Sequence, residues 1–527
     1  MRPSMPTHSP MAGDFADNPI VYHLLTDRFA PPPRQRGAEE IGDFHGGKLS
    51  GVTRKLEEGW FARLGVNAIL ISAPYQQILG WIPGGEGAFR HYAYHGYFAL
   101  DYTVMDERIG CEADLRELVA SAHRQGIRVL LDVVMNHPGY GDLESLDACG
   151  VDVLRPGWRA ATPGNYHDYI DFDSTAFQQW WGADWVRAGL PGYQPGGTDD
   201  LTMSLAGLPD FRTESAEWVA LPPFLARKPD TRAIELPQAT VRTYLIAWLA
   251  DWVRRFGIDG FRCDSAKHVE LDAWLELKQV ACRAREQHGA EPFWMLGEVF
   301  GHGIERNHYF DFGFDSLLNF HFQHHLAGAA SLEALFDDYA GKLAGRPGYN
   351  VLSYISSHDT QLFDRSDLMR AGTALLLSPG GVLVFYGDET ARPPGHATPA
   401  DATQATRSDM NWQDIDEQNL AHWRKLGQFR QRHVAIARGR HSMTGDGPYS
   451  FTRADAASGD KVLVALDCAG LTRLRTSGVF AEGEAVRDAY SGWRGRVQDG
   501  HVCLHADRVV LLETDDVSQA DTLTTIA

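Results

Sequence analysis

The stretch Val129-Leu-Leu-Asp-Val-Val-Met-Asn-His137 decides the fold. Its apolar residues follow one another without helical spacing and end in polar ones, which is the pattern of a strand buried on both faces in a parallel sheet. Three further segments share the design: Gly257-Ile-Asp-Gly-Phe-Arg-Cys-Asp264, Phe293-Trp-Met-Leu-Gly-Glu298 and Val351-Leu-Ser-Tyr-Ile-Ser-Ser-His-Asp359. Each reaches a carboxylate at or near its C-terminal end. Residues 20–26, 66–72, 314–320 and 381–386 complete a set of eight candidate strands. Helical spacing separates several of them, as in Leu56, Trp60 and Leu64, in Leu115, Leu118, Val119 and Ala122, and along 241–256. Strand and helix in alternation, with eight strands, predict an α/β chain built on a (β/α)8 TIM barrel. In that fold the C-terminal strand ends form the catalytic face. Asp132, His137, Arg262, Asp264, Glu298 and Asp359 collect there, and buried unpaired charge is too costly for a mere core, so they are read as a site.

A chain of 527 residues exceeds one ordinary hydrophobic core, so smaller domains are expected beside the barrel. Between Pro138 and Asp210 the pattern breaks into Gly, Pro, Asp and aromatic residues, too long for a plain connector. It is expected to be an irregular inserted domain after the third strand. Past the helical stretch 420–438 the sequence turns to short alternating runs, which predict a C-terminal antiparallel β domain. The expected division is 1–18 disordered, 19–137 and 211–440 barrel, 138–210 inserted domain and 441–527 β domain. Residues 514–527 are polar and expected to fray.

Lys+Arg 49 against Asp+Glu 69 gives a net charge of −20, which argues against nucleic acid or an anionic membrane and favours a neutral ligand. No segment approaches a membrane span. The six cysteines show no CxxC spacing, so zinc is not expected and free, mostly buried thiols are. Cys468 and Cys503 lie in neighbouring candidate strands, and pairing between them stays open. Residues 1–18 carry no apolar h-region, so the compartment is the cytoplasm, or the periplasm or exterior if a leader has been removed. A monomer is expected.

Asp132-Val-Val-Met-Asn-His137, Gly260-Phe-Arg-Cys-Asp-Ser-Ala-Lys-His268, Gly297-Glu-Val299 and Ser357-His-Asp359 resemble, in order, the four signature regions of the α-amylase family of glycoside hydrolases. His95-Gly-Tyr97, Leu208-Pro-Asp-Phe211 and Phe385-Tyr-Gly-Asp-Glu389 extend the resemblance over the chain from Ile20 onward. Within the family, 93–97, 201–206 and 407–412 look most like bacterial periplasmic α-amylases.

The resemblance implies hydrolysis of α-1,4-glucosidic bonds in starch-like glucans or maltooligosaccharides with retention. That chemistry needs one carboxylate to attack the anomeric carbon and one carboxylic acid to protonate the leaving oxygen. By resemblance Asp264 is the nucleophile, Glu298 the acid/base and Asp359 the third acid, which holds the sugar hydroxyls. Arg262, two residues before Asp264, should share its face in an extended strand and keep it ionised. The resemblance further implies that His95, His137 and His358 hydrogen-bond the sugar, that Tyr97 stacks on it, and that Lys267 and His268 line the leaving-group side. Asp132 is read as structural, paired with Arg262 or a backbone amide. Trp81, Tyr92, Trp180 and Trp181 are read as core rather than sugar platforms. A structural Ca2+ is implied on Asn136, Asp210 and the carbonyl of His268, with Asp199 and Asp200 as further candidates. Transglycosylation, hydrolysis of α-1,6 or cyclic glucans, and a noncatalytic carbohydrate-binding relative remain the alternatives.

Overall fold

A computed structural model describes residues 15–33, 41–188, 190, 192–289, 291–328, 331–343, 349–476 and 478–515. Eight parallel strands close a barrel. They are β1 (Ile20–Leu24), β2 (Ala68–Ile71), β3 (Arg128–Val133), β4 (Gly260–Cys263), β5 (Trp294–Gly297), β6 (Ser316–Asn319), β7 (Val351–Ser353) and β8 (Gly381–Phe385). Consecutive strands are neighbours, and β8 pairs with β1 through Ile20↔Val382 to His23↔Phe385.

The two-residue period of each strand sorts the side chains into two cores. Ile20, Tyr22, Leu24, Ile69, Ile71, Val129, Leu131 and Val133 pack outward in the large core shared with the helices. Val21, Leu70, Leu130, Trp294, Leu296, Leu352 and Leu383 fill the interior. Continuing the interior series by two residues gives Asp132 after Leu130 and Glu298 after Leu296. In β4 the same series runs Gly260, Arg262, Asp264. Gly260 has to be small, because a Cβ there would stand 2.3 Å from the carbonyl oxygen of Trp294. The interior is thus apolar below and charged at its C-terminal end.

The helix that feeds β4 shows how local sequence sets position. α1 (Val241–Phe256) starts where the Thr240 side chain accepts from the Thr243 amide, and stops at Gly257, whose φ of 71° ends the helix in a left-handed turn. Its Tyr244, Trp248, Trp252 and Phe256 are buried against the barrel and the chain after β3. At the bottom of the barrel, Phe15 is buried edge-on against Trp294. Residues 15–18 are therefore ordered, a correction to the expected disorder of 1–18, because Phe15 seals the apolar interior. Residues 1–14 and 516–527 lie outside the described residues.

Between β3 and β4 the chain makes an irregular excursion of short 3-10 turns, closed by a two-residue pairing of 186–187 with 210–211. After α2 (Glu417–Arg432) comes an antiparallel sheet of six strands. One guanidinium group binds it to the barrel, Arg453 donating to the carbonyls of Leu377 and Ile436, and beside it Arg430 of α2 donates to those of Leu376, Ser378 and Gly380. Cys468 stands opposite Arg508 and Cys503 opposite Arg473, so the two do not pair. All six thiols are free. Only Cys263 and Cys468 are buried, fewer than expected, and Cys111 and Cys503 are exposed. Among the described residues no helix is long and apolar enough to cross a membrane.

His433, just past α2, holds Asp460 through Nδ1 at 2.7 Å and Glu513 through Nε2 at 2.6 Å. Both ring nitrogens face carboxylates, so both must donate and the ring must be charged. Burial opposes that charge, but Asp460 and Glu513 outweigh it and raise the pKa. The stabilisation is complete below the unfolded value of about 6.5 and is lost as pH climbs through the raised folded value. Melting temperature measured from pH 6 to 9 should fall more steeply for the wild type than for His433→Gln. Parallel curves would exclude this joint as a source of pH dependence.

Candidate active site

Arg262 lies at the floor of the C-terminal mouth with Asp132, its register partner on β3, alongside. Its Nη1 is 2.8 Å from Asp132 Oδ1 and 2.6 Å from Asp264 Oδ1, and its Nη2 is 2.8 Å from Glu298 Oε1. One guanidinium thus serves three carboxylates. Tyr97 adds a hydroxyl bond of 2.7 Å to Asp132 Oδ2. Asp132 is buried with both oxygens engaged, which fits the structural reading.

Ser265 was not anticipated. Its backbone is left-handed, with φ at 50°, a conformation a serine adopts at a cost of order 1–3 kcal/mol. The twist lets its amide donate to Glu298 Oε2 at 2.8 Å while its hydroxyl donates to Asp264 Oδ2 at 2.8 Å. Arg407 was also missed. It contacts Asp359 Oδ1 at 3.3 Å through Nη2 and the His358 carbonyl at 3.1 Å through Nε. Ser265 lies inside the motif 260–268 and Arg407 opens the stretch 407–412, but the motifs by themselves give neither a contact with the acids.

The acids differ in environment. Burial pushes Glu298 up to about 8; Arg262 pulls it down, but Asp264 and Asp359 add to the rise. Asp359 stands at the rim with its side chain 37% exposed. Desolvation works against its charge, yet His358, Arg407 and Arg262 outweigh it and hold the carboxyl far below the usual range. The site therefore favours the neutral form of Glu298 and the charged form of Asp359.

A cleft of about 590 Å³ opens above these groups. His95, Tyr97, His137, Asp264, Lys267, His268, Glu298 and Asp359 line it, so the expected set is brought together. Arg262 lies below. His358 stands behind the rim, its Nε2 2.8 Å from both the Tyr97 hydroxyl and Asp359 Oδ2. The Tyr97 ring runs parallel to His358, centroids 5.3 Å apart at 6°. His95 is buried, with no partner for Nε2 among the described residues. None of Trp81, Tyr92, Trp180 and Trp181 lines the cleft. Trp180 and Trp181 pack on Phe224, in keeping with the core reading.

The groups expected to hold calcium also meet. The side-chain amide of Asn136 is 2.9 Å from Asp210 Oδ1 and 3.0 Å from the His268 carbonyl. The amide NH2 of Asn136 donates to both acceptors, so a hard cation would take its place only with the amide turned over, when its oxygen would join the Asp210 carboxylate and the His268 carbonyl. Arg187 already contacts the other oxygen of Asp210 and reaches Glu214. Asp199 and Asp200 do not join the set, a correction explained by their own contacts. Asp199 accepts from Leu201 and Thr202, and Asp200 is drawn to Lys267 and His268. Among the described residues no three His, Cys, Asp or Glu form a metal cluster, so any cation here must rest on amide and carbonyl oxygens as well.

The alpha amylase catalytic domain model matches residues 23–147. The periplasmic alpha-amylase of Escherichia coli K12 is 46% identical over 490 residues, spanning 85% of this chain and 71% of that protein. The chain belongs to the α-amylase family. It is an enzyme of the glycoside hydrolase class, acting on carbohydrate. A cyclomaltodextrinase of Bacillus sp is 26% identical over 80% of this chain and 67% of its own. The solved alpha-amylase of Geobacillus thermoleovorans, complexed with acarbose, shares the fold at a TM-score of 0.66 and 22% identity, covering 95% of this chain and all of that one. Members of the α-amylase family often use calcium.

A protonated Glu298 is directly observable. In infrared difference spectra, wild type minus Glu298→Gln, a carboxylic C=O band should be present at pH 6 and vanish as pH passes about 8. Its absence at pH 6 would show that Arg262 overcomes burial.

Proposed function

We propose that this enzyme cleaves α-1,4-glucosidic bonds in starch-like glucans or maltooligosaccharides with retention of configuration. One observation carries the reading: Arg262 binds Asp264 and Glu298 through its two terminal nitrogens, while burial protonates Glu298. A shared guanidinium keeps the two carboxyl groups close, which suits the separation of about 5 to 5.5 Å used for retention better than the wider gap that admits a water.

An Asp264 oxygen attacks the anomeric carbon as Glu298 gives its proton to the glycosidic oxygen, so that the C–O bond breaks and a glycosyl ester forms. Glu298, now a carboxylate, takes a proton from water as that water attacks the same carbon. The ester bond breaks and both acids return to their starting states. Arg262 aims Asp264, and Ser265 fixes both acids by hydrogen bonds. Asp359, His95 and His137 hold the sugar hydroxyls, while His358, expected among them, stands behind the rim and positions Asp359 instead; Tyr97 meets the ring face, and Lys267 and His268 lie on the leaving-group side. The reading assigns 19–137 and 211–440 to the catalytic barrel, 138–210 to an inserted domain and 441–527 to the β domain.

Asp264→Asn should lower turnover by several orders of magnitude with the fold retained, because it removes the group that forms the ester. Glu298→Gln should abolish hydrolysis of maltooligosaccharides while sparing an aryl glycoside, whose leaving group needs little protonation. Equal losses on both substrates would remove Glu298 from the role of acid. Product chromatography on starch, pullulan and cyclodextrins tests the linkage, and longer products than the substrate would favour transglycosylation.

Calcium held by Asn136, Asp210 and the His268 carbonyl would tie the excursion to the barrel and steady His137, whose Nδ1 is 2.9 Å from Asn136 Oδ1. At free calcium a hundredfold above its Kd the ion adds about 2.7 kcal/mol to stability. Chelation should therefore lower the melting temperature, and Asp210→Ala should make it insensitive to calcium. No bound calcium by elemental analysis, with no chelator effect, would leave Arg187 as the cation that serves Asp210.

A further inference from the structure

The excursion touches the far side of the cleft through a tight turn at 199–202. Asp199 builds the turn, accepting from the Leu201 amide and the Thr202 hydroxyl at 2.9 Å each. Asp200 faces outward from it to both members of the pair that follows the nucleophile. Its carbonyl accepts from His268 Nδ1 at 2.6 Å, and its Oδ1 lies 3.1 Å from Lys267 Nζ. The turn continues into Met203, Leu205 and Leu208, which line the cleft together with Asp200. Phe300, two residues past Glu298 and 66% exposed, lines the same cleft. The wall on this side therefore combines one carboxylate and one ammonium with a strip of apolar surface.

The two bonds of Asp200 have different strengths. The contact to His268 involves backbone and fixes where the turn stands. The contact to Lys267 involves a carboxylate that is 59% exposed, and an exposed ion pair contributes little. Opening it costs little. A neutral sugar with many hydroxyls can insert between the two charges, donating to the carboxylate and accepting from the ammonium, and charge-assisted bonds of that kind are the stronger ones.

We infer that Asp200 is a specificity-determining residue for the leaving group. Its carboxylate and the Lys267 ammonium grip the hydroxyls of the glucosyl unit being expelled, while Met203, Leu205 and Phe300 meet the apolar faces of that unit. The inference rests on the hydrolase reading and adds to it the residue that distinguishes a sugar leaving group from any other.

The test compares two substrates with the same glycosyl part, a maltohexaose and an aryl maltotrioside, in wild type, Asp200→Asn and Asp200→Glu. Asparagine keeps the backbone bond to His268 and loses the charge. In Asp200→Asn, kcat/KM for maltohexaose should fall about tenfold, chiefly through KM, the size of one charge-assisted bond. The aryl substrate should change less than about twofold, the cleavage pattern of maltohexaose should shift, and Asp200→Glu should restore much of the loss. Equal losses on both substrates would show that Asp200 serves only the shape of the site, and no loss on either would show that it does not meet the sugar; both overturn the inference while the hydrolase reading stands. A wild type that cleaves neither substrate overturns the hydrolase reading itself.

Discussion

Everything at the mouth of this barrel depends on Arg262. Three carboxylates within bonding distance of one guanidinium repel one another, and burial raises the penalty for each charge. A guanidinium is always charged and offers donors in a fixed fork, so it can compensate several acids without losing its own proton. Burial opposes its charge, but Asp132 and Glu298 outweigh that and raise its pKa well above the ordinary value. A lysine would give one point charge and could neutralise itself in the same place. Compensation is also uneven: burial raises both Asp132 and Glu298, but Asp132 has the Tyr97 hydroxyl as well as Arg262, whereas Asp264 and Asp359 push Glu298 further up, to about 8. That unevenness sets Glu298 apart from the other acids at the mouth.

The placement of this cluster follows from strand periodicity alone. The rows that fill the barrel with Leu130, Trp294 and Leu296 reach the mouth as Asp132 and Glu298 without any change of register. Packing and chemistry share a lattice, and a slip of one residue in β4 would turn Arg262 out of the interior. The apolar layers beneath hold the charged layer rigid and dry.

What was legible in the sequence was what lay on that lattice. The eight strands, Asp264, Glu298, Arg262 and the structural character of Asp132 all followed from apolar runs that end in charge, together with motif order. Ser265 was not legible, because its part depends on a left-handed φ that no composition announces. Arg407 comes from a long loop after β8, and its meeting with Asp359 is a fact of tertiary approach. Phe15 was lost among polar neighbours, since a single aromatic residue gives no period. Asp199 and Asp200 read as further calcium ligands, and only the fold shows that one makes a turn and the other meets Lys267. Cys468 and Cys503, in neighbouring strands of the β domain, left pairing open, and the register sets them opposite arginines.

The grip of Arg430 and Arg453 on the carbonyls of Leu376, Leu377, Ser378 and Gly380 bears on how the chain comes to be a closed cylinder. Those carbonyls sit at the end of a helix (Leu368–Leu376), directly before β8, where backbone acceptors lack helical partners. β8 is the strand that joins the last edge to the first. The groups that satisfy its approach come from α2 and from the terminal sheet, both later in the chain. A ribosome-bound chain that has made all eight strands would thus still lack Arg453, and the seam between β8 and β1 would be the last part of the barrel to become secure.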